Sequence, residues 1–287
     1  LIQRKGFIDV EIGGKLFPTY HYADDFILPF VRPFLWPVRA SDGTEVTLDQ
    51  AQHPPLHPHQ RSIWIGHHNV NGANHWNFYK NRITPKQRHL KFDKISNDTI
   101  VEELLWEDKE AKPMLYEKRT LHFIAFPDGN RGIDFTLQFT PVTNDVTFFS
   151  DSGDTGLLGV RLVQSITHNP ELTSSAGGHG VKQCNLKPAD WCDESGLIDG
   201  KIYGVAILDY PKNLRHPPLW HAHLDARLST DIFSLHTYNP EKYPKGAGNV
   251  TIKKGQTETF RYRVVVHTGK AADANLPEKY KEYVAGK

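Results

Sequence analysis

Hydrophobic and polar residues alternate along most of the chain, which is the pattern of β-strands with one buried face. The alternation is longest over residues 114–126 and 132–142, and these two segments are joined by the turn Pro127-Asp-Gly-Asn130. Residues 7–12 and 15–20 alternate on either side of Gly13-Gly14 and are predicted to form a hairpin. The pattern therefore predicts strands that pair in an antiparallel manner.

Strand patterns continue to the end of the chain, and only residues 277–284 have the spacing of a helix. Further strands are predicted at 30–39, 89–95, 99–108, 146–149, 156–168, 201–209, 220–236, 249–253 and 257–267. No repeat period is present, which argues against a propeller or a solenoid. We expect an all-β protein with one domain, residues 1–287, built as a large antiparallel β-sandwich with a short C-terminal helix. Two fused sandwiches or cupin-like barrels are the second hypothesis.

Composition narrows the function classes only slightly. The formal net charge is +1, so no strong field favours nucleic acid or an anionic membrane. No apolar run approaches the length of a membrane span, and no glycine-rich phosphate loop or Gly-x-Ser-x-Gly motif is present. Six Trp, eleven Tyr and fifteen Phe favour stacking on sugars, although a large β core would also use them.

The chain begins at Leu1 rather than Met, which suggests an exported protein, periplasmic or extracellular, whose signal peptide has been removed. Cys184 and Cys192 lie close together in one loop-like stretch. A disulfide between them would suit an exported protein, and two free thiols are the alternative.

One short window concentrates residues that carry chemistry, His57-Pro-His-Gln-Arg-Ser-Ile-Trp-Ile-Gly-His67, and it is extended by Trp76. If the window is an extended strand, one face carries His57, His59, Arg61 and His67. Such histidines could exchange protons with a sugar or bind a metal, and Arg61 would hold a negatively charged oxygen. The competing interpretation is that these side chains are structural and form hydrogen bonds with neighbouring backbone and carboxylate groups.

A second stretch alternates from Trp220 to Leu228 and places His221, His223, Asp225 and Arg227 on one face. Together, His57, His59, His221 and His223 could form a centre for one divalent metal ion. The alternative interpretation is that these residues form the solvent-exposed face of an antiparallel sheet and not a site.

Three further positions are candidates. Glu117 pairs with Arg119 or acts as a general base. Asp154 precedes the strand that bears Arg161, and Asp193 lies in a segment that we interpret as a loop. Turn capping and structural ion pairs are the alternatives for all of them.

Several motifs resemble a family of bacterial proteins labelled "methane oxygenase PmoA", or PmoA-like. The matching pieces are Arg32-Pro33, residues 57–64, His67, Val70-Asn-Gly72, Trp76, Gly153-Asp-Thr155, Gly159-Val-Arg161, Trp191-x-Asp-x-Ser-Gly196, residues 204–209 and Arg215-His-Pro-x-x-Trp-His221. The family is similar to the galactose-mutarotase-like supersandwich group, so the resemblance implies that fold and a sugar-related activity. The sequence departs from the family pattern at Cys184 and Cys192, and again after His221.

The first functional hypothesis is a carbohydrate-active enzyme, namely an epimerase, lyase or hydrolase, that acts on a sugar or oligosaccharide by acid–base chemistry. Its predicted catalytic residues are His57, His59, Arg61, His67, Glu117, Arg161 and Asp193. Its predicted substrate-binding residues are Trp64, Asn71, Trp76, Asp154, Trp191 and His221.

Two other hypotheses remain open at this point. One is a metal-dependent enzyme, including an oxidative one, that uses the four histidines 57, 59, 221 and 223. The other is a glycan-binding protein without catalytic activity. No cofactor is predicted firmly, and one divalent metal ion belongs only to the metal-dependent hypothesis.

Overall fold

Antiparallel β-sheets make up most of the computed structural model, which describes residues 1–23, 31–49, 57–77, 85–150, 156–223 and 225–286. Within these residues the chain forms two eight-stranded sheets, called sheet A and sheet B, and a two-stranded ribbon. In spatial order, sheet A contains β1 (Ile2–Arg4), β2 (Phe7–Ile12), β3 (Lys15–His21), β4 (Phe34–Val38), β5 (Ile63–Ile65), β11 (Leu158–Arg161), β16 (Arg227–Asp231) and β15 (Leu219–His223).

Sheet B takes most of its strands from the middle of the chain. In spatial order it contains β12 (Glu171–Ser174), β13 (Trp191–Ile198), β14 (Lys201–Asp209), β18 (Glu258–Thr268), β9 (Arg131–Pro141), β8 (Pro113–Ala125), β7 (Thr99–Glu107) and β6 (Gln87–Ile95). Strands β10 (Val146–Phe148) and β17 (Val250–Ile252) form the ribbon. The helices are α1 (Val181–Cys184), α2 (Leu235–Tyr238), α3 (Leu276–Val284) and a 3-10 helix, Gln164–His168.

The main core lies between the two sheets. Alternate residues of β8 and β9, such as Leu121 and Phe139, point into it from sheet B. Ile8 and Val160 meet them from sheet A, and all four side chains are buried. Each such side chain stabilises the fold by about 1.5–3 kcal/mol relative to an exposed one. One continuous hydrophobic cluster therefore includes residues of both sheets.

A smaller core lies on the other side of sheet B, where the C-terminal helix α3 packs. Leu276 and Tyr283 of this helix contact a cluster that includes Ala206 of β14 and Val265 of β18. Residues of sheet B that do not face sheet A are therefore partly covered by α3.

The predicted fold class is confirmed, because the chain is an all-β antiparallel sandwich with a short C-terminal helix. Three local predictions are wrong. Residues 156–168 form the short strand β11 and then the 3-10 helix, and residues 220–236 form the hairpin β15–β16 followed by α2. Residues 191–196, interpreted as a loop, belong to β13.

Two further findings bear on sequence expectations. No helix in the described ranges is long and apolar enough to cross a membrane. Cys184 and Cys192 are buried free thiols.

Candidate functional site

Four neighbouring strands of sheet A place polar side chains on the face that points away from sheet B. In the register of β5, β11, β16 and β15, Trp64 lies opposite Gly159, Gly159 opposite Ser229, and Ser229 opposite His221. The alternate residues of the same strands belong to the main core, and they are Ile63, Val160, Leu228 and Ala222. Because strand side chains alternate, the first set points outward. We call this surface the outer face of sheet A.

His221 is held by a buried carboxylate on this face. Its Nε2 atom lies 2.8 Å from Oδ2 of Asp231, which is fully buried. Oδ1 of Asp231 accepts hydrogen bonds from the backbone N–H groups of Phe233 (2.8 Å) and Ser234 (2.9 Å). Burial alone would raise the pKa of Asp231, but hydrogen bonding and the charge of His221 hold it below its ordinary value. The carboxylate is therefore charged and fixed beside the imidazole, and His221 itself is 7% exposed.

A second group of polar residues begins one row further along the face. Arg161 donates from Nη1 to Oε1 of Gln60 (2.8 Å) and to Oδ2 of Asp225 (3.0 Å). Asp225 lies in the turn between β15 and β16, and its side chain is 46% exposed, so a ligand can reach it. In the register Arg161 lies opposite Arg227, and Arg227 lies opposite His223. Two arginines and two histidines thus lie on the same face of the sheet, where Arg161, Arg227 and His221 are buried and Asp225 is exposed.

Glu194 on β13 is a buried carboxyl group that the sequence interpretation missed. It is fully buried, and neither carboxyl oxygen has a hydrogen-bond partner among the described residues. Burial, and then the charges of Asp225 and Asp193, raise its pKa well above the ordinary value, whereas Arg161 opposes them. These effects favour the protonated form of Glu194.

The window 57–67 is not one strand, so the prediction that its histidines and Arg61 share a face is wrong. The N–H of Gln60 donates to the carbonyl of His57 (2.8 Å) in a turn, and Ser62 has a φ of 56°. Only Ile63–Ile65 is strand. His57 and His59 are half-buried and contact each other with ring centroids 5.6 Å apart.

Arg61 and His67 are buried in structural contacts rather than exposed to a ligand. Arg61 forms a two-pronged pair with Asp49, with distances of 3.0 and 2.7 Å, and lies 3.8 Å from the ring centroid of Phe34. Nε2 of His67 lies 2.9 Å from the carbonyl oxygen of Phe149. Both residues are at most 1% exposed. Their predicted catalytic roles are therefore not supported by their placement.

The predicted stacking surfaces are also buried. Trp64 and Trp76 pack edge to face at 5.3 Å, and both are at most 1% exposed, while Trp191 is 8% exposed. Asn71 joins two backbone segments, donating to the carbonyl of Asp145 (3.0 Å) and accepting from the N–H of Thr147 (2.9 Å). These side chains do not present a sugar-stacking surface.

Glu117 and Asp193 lie away from the outer face of sheet A. Glu117 points into the main core, where it accepts hydrogen bonds from Arg119 (2.7 and 3.0 Å) and from the indole of Trp106 (2.7 Å). Asp193 lies on the opposite side of β13 from Glu194, with Oδ1 2.7 Å from Nε2 of His267, and both are buried. Asp154 and its Gly-Asp-Thr motif lie outside the described residues.

The four histidines proposed as a metal centre do not converge. They form two separate pairs, His57 with His59 and His221 with His223, whose ring centroids are 5.6 and 6.0 Å apart. Across the described ranges, no three His, Cys, Asp or Glu side chains are arranged to hold a metal ion. The predicted four-histidine ligand set is therefore wrong.

The chain belongs to DUF6807, a family of unknown function, whose model matches residues 7–281. The PmoA label of the resemblance is not supported by this match. No curated protein matches the chain.

Solved structures with a similar fold include two of distant sequence. One is described as the GalM/aldose epimerase homologue from C. elegans, with 9% identity, a TM-score of 0.41, and coverage of 92% of this chain and 99% of that chain. The other is described as "Putative kojibiose phosphorylase from human microbiome", with 10% identity and a TM-score of 0.35. That match covers 65% of this chain but only 21% of the phosphorylase chain. Matches at such low sequence identity and TM-score do not identify an activity.

Proposed function

We propose that the protein is a carbohydrate-active enzyme that works by acid–base chemistry on the outer face of sheet A. The observation that carries the proposal is the pair His221 and Asp231, in which a buried, backbone-anchored carboxylate lies 2.8 Å from an imidazole nitrogen. An imidazole oriented by a carboxylate is a recurrent arrangement for proton transfer in enzymes. His221 is therefore the group that transfers the proton.

The neighbouring residues supply what a sugar substrate requires. Arg161 and Arg227 place positive charge beside the histidines, where it would stabilise negative charge developing on a sugar oxygen. Asp225, whose side chain is 46% exposed, is a carboxylate that a substrate can contact. Epimerases, lyases and hydrolases all need such a proton-transferring group beside a charged group. The proposal covers this class and does not choose among its members.

A panel of oligosaccharides and monosaccharides tests the proposal. Unsaturated products would indicate a lyase, new reducing ends a hydrolase, and an altered sugar proton spectrum an epimerase. His221→Gln should lower kcat by at least about 100-fold, because general acid–base catalysis contributes about 10²–10⁴-fold. His179→Gln, which changes an exposed histidine outside the face, is the matched control and should be unaffected.

Two results would overturn the proposal. One is full turnover in His221→Gln. The other is saturable glycan binding without turnover of any sugar in the panel, which would instead support a binding protein.

A further inference from the structure

A cavity of about 220 Å³ lies beside helix α3, on the side of sheet B that faces away from sheet A. Its lining includes Arg261, Arg263, His122, Tyr210 and Tyr283. The volume is below the roughly 300–1,000 Å³ of sites for drug-sized ligands, so the cavity suits a compact ligand. None of the residues proposed for sugar chemistry lies in it.

Arg261 supplies a cationic group from an anchored stretch of backbone, and no described carboxylate neutralises it. Its backbone N–H donates to Oδ1 of Asn213 (2.8 Å), and its carbonyl accepts from Nδ2 of the same side chain (2.7 Å). The guanidinium carbon lies 5.3 Å from the ring centroid of Tyr210. In the part of the chain that the structure describes, no carboxylate forms an ion pair with Arg261. The side chain is exposed, so a ligand can reach its charge.

The second arginine of the cavity is already matched by a carboxylate. Arg263 donates to both oxygens of Asp134 (2.6 and 2.9 Å), and its guanidinium carbon lies 4.7 Å from the Tyr283 ring centroid. His122 lies within 3.9 Å of the same carboxylate. Asp134 therefore offsets the charge of Arg263, and the charge of Arg261 remains to attract an anion.

Tyr283 is a second observation, independent of the Arg261 charge, that favours a ligand in the cavity. It is only 6% exposed, and its hydroxyl has no hydrogen-bond partner among the described residues. A buried hydroxyl without a partner costs free energy, so such groups are nearly always satisfied by protein, water or a ligand. Its ring and the ring of Tyr210 lie edge to face, with centroids 5.6 Å apart, and form an aromatic wall.

We propose that this cavity binds a small anion-bearing molecule, with Arg261 and the Tyr283 hydroxyl contacting a carboxylate or phosphate group of the ligand. Arginine pairs with the two oxygens of either group, and the shared chemistry is a multidentate oxyanion. The aromatic wall contacts the uncharged part of the ligand. The site is separate from the proposed catalytic face and does not depend on it.

Titration calorimetry with inorganic phosphate, glucose 6-phosphate, glucuronate and glucose tests this assignment on the full chain. The charged probes should bind saturably in the cavity, and any binding of glucose should be unaffected by Arg261→Gln. Tighter binding of glucose 6-phosphate would identify phosphate as the preferred group, and tighter binding of glucuronate would identify carboxylate. His221→Gln should bind the anions as the parent protein does, so failure of the catalytic proposal leaves this one testable.

Two variants and a control locate the site. Arg261→Gln should weaken anion binding at least about tenfold, equivalent to about 1.4 kcal/mol. Tyr283→Phe removes only the unpartnered hydroxyl, so it should weaken binding while leaving Tm unchanged or slightly higher. Arg4→Gln, which removes an exposed arginine on β1, should bind as the parent protein does. The proposal is overturned if no charged probe binds, if Arg261→Gln binds normally, or if Arg4→Gln weakens binding equally.

Discussion

At the scale of single residues, Glu194 combines full burial with carboxyl oxygens that have no hydrogen-bond partner among the described residues. Burial raises its pKa in the folded chain well above the 4.5 of the unfolded chain. Between these two pKa values the folded chain binds one more proton than the unfolded chain. Stability that is present below pH 4.5 is therefore lost as the pH rises. Glutamine has the shape of the protonated carboxyl group and does not ionise. We expect Glu194→Gln to unfold at a higher temperature than the parent protein at pH 8, and the gain to shrink at pH 5.

Calorimetric Tm values at both pH values measure this effect, and each unit of pKa shift corresponds to about 1.4 kcal/mol. Glu110→Gln, at an exposed site, serves as the control and should show no such pH-dependent gain. A lower Tm for Glu194→Gln at pH 8 would mean that the carboxylate is ionised and paired in the folded protein.

At the same scale, Arg61 is a residue that the sequence predicts to be catalytic, but it is buried against Asp49. Lysine cannot reproduce the two-pronged contact, and removing a contact of a buried pair leaves charge uncompensated. We expect Arg61→Lys to lower the free energy of unfolding by about 2–4 kcal/mol in urea titrations. Arg88→Lys, at a surface pair with Glu107, should change it by less than about 1 kcal/mol. Unchanged stability together with loss of sugar turnover would return Arg61 to the catalytic site.

At the scale of strands, Gly159 of β11 shows how the outer face of sheet A is packed. A Cβ atom at this position would lie 2.6 Å from Cζ2 of Trp64, which is buried on the neighbouring strand. We expect Gly159→Ala to destabilise the protein by about 1–3 kcal/mol, because the indole cannot move away freely. In a Trp64→Phe background the smaller ring should reduce that cost, which a double-mutant cycle by urea unfolding measures. An equal loss of unfolding free energy in both backgrounds would show that the contact with Trp64 does not cause the destabilisation.

Strand patterns also show what the sequence could predict and what it could not. The long alternation at 114–126 predicts β8 closely, since strand Pro113–Ala125 is uninterrupted and buries every second residue. The same parity rule fails for 57–67, because it holds only within a continuous strand. At 220–228 it places His221, His223 and Arg227 on one face as predicted, despite the turn between β15 and β16. Ser62 and Ala226 have φ values of 56° and 64°, and neither is the glycine that usually announces such a reversal.

The candidate site was therefore only partly predictable. The sequence predicts His221, Arg161 and Asp225 as candidate polar residues, but their proximity depends on pairing between β11 and the hairpin β15–β16. That pairing joins residues more than 60 positions apart in the chain. Asp193 and Glu194 show the same limit, because nothing local tells which of two adjacent carboxylates faces the other sheet.

At the scale of the whole molecule, polar contacts cross the main core and hold the sheets in one relative position. Tyr20 of β3 donates to Glu102 of β7, and Arg119 of β8 donates to the same hydroxyl (3.3 Å). Burial raises the pKa of Glu102, while His89, 2.6 Å away, and Arg119 counter that effect. A shift between the sheets would leave these buried groups without partners, which is costly. The network thus fixes the sheet that carries the candidate site relative to its neighbour.

Two buried histidines make the stability of the whole protein depend on acidity. Burial lowers the pKa of His21 to about 4 and that of His75 to about 3, whereas both take up a proton near 6.5 in the unfolded chain. Below pH 6.5 the unfolded chain therefore binds more protons, so stability present at neutral pH is lost on acidification. Each histidine contributes a slope of up to about 1.4 kcal/mol per pH unit between about pH 6 and 4.5.

Urea unfolding at intervals between pH 6.5 and 4.5 measures that slope, and His75→Phe isolates one of its two sources. Phenylalanine keeps a ring beside Trp106, whose centroid lies 4.7 Å from that of His75, but cannot bind a proton. The slope of His75→Phe should be smaller than that of the parent protein by about 1.4 kcal/mol per pH unit. His179→Gln, exposed in both states, should keep the full slope. Carboxyl groups titrate in the same range in every variant, so identical slopes for His75→Phe and the parent protein would show that His75 is protonated within the fold.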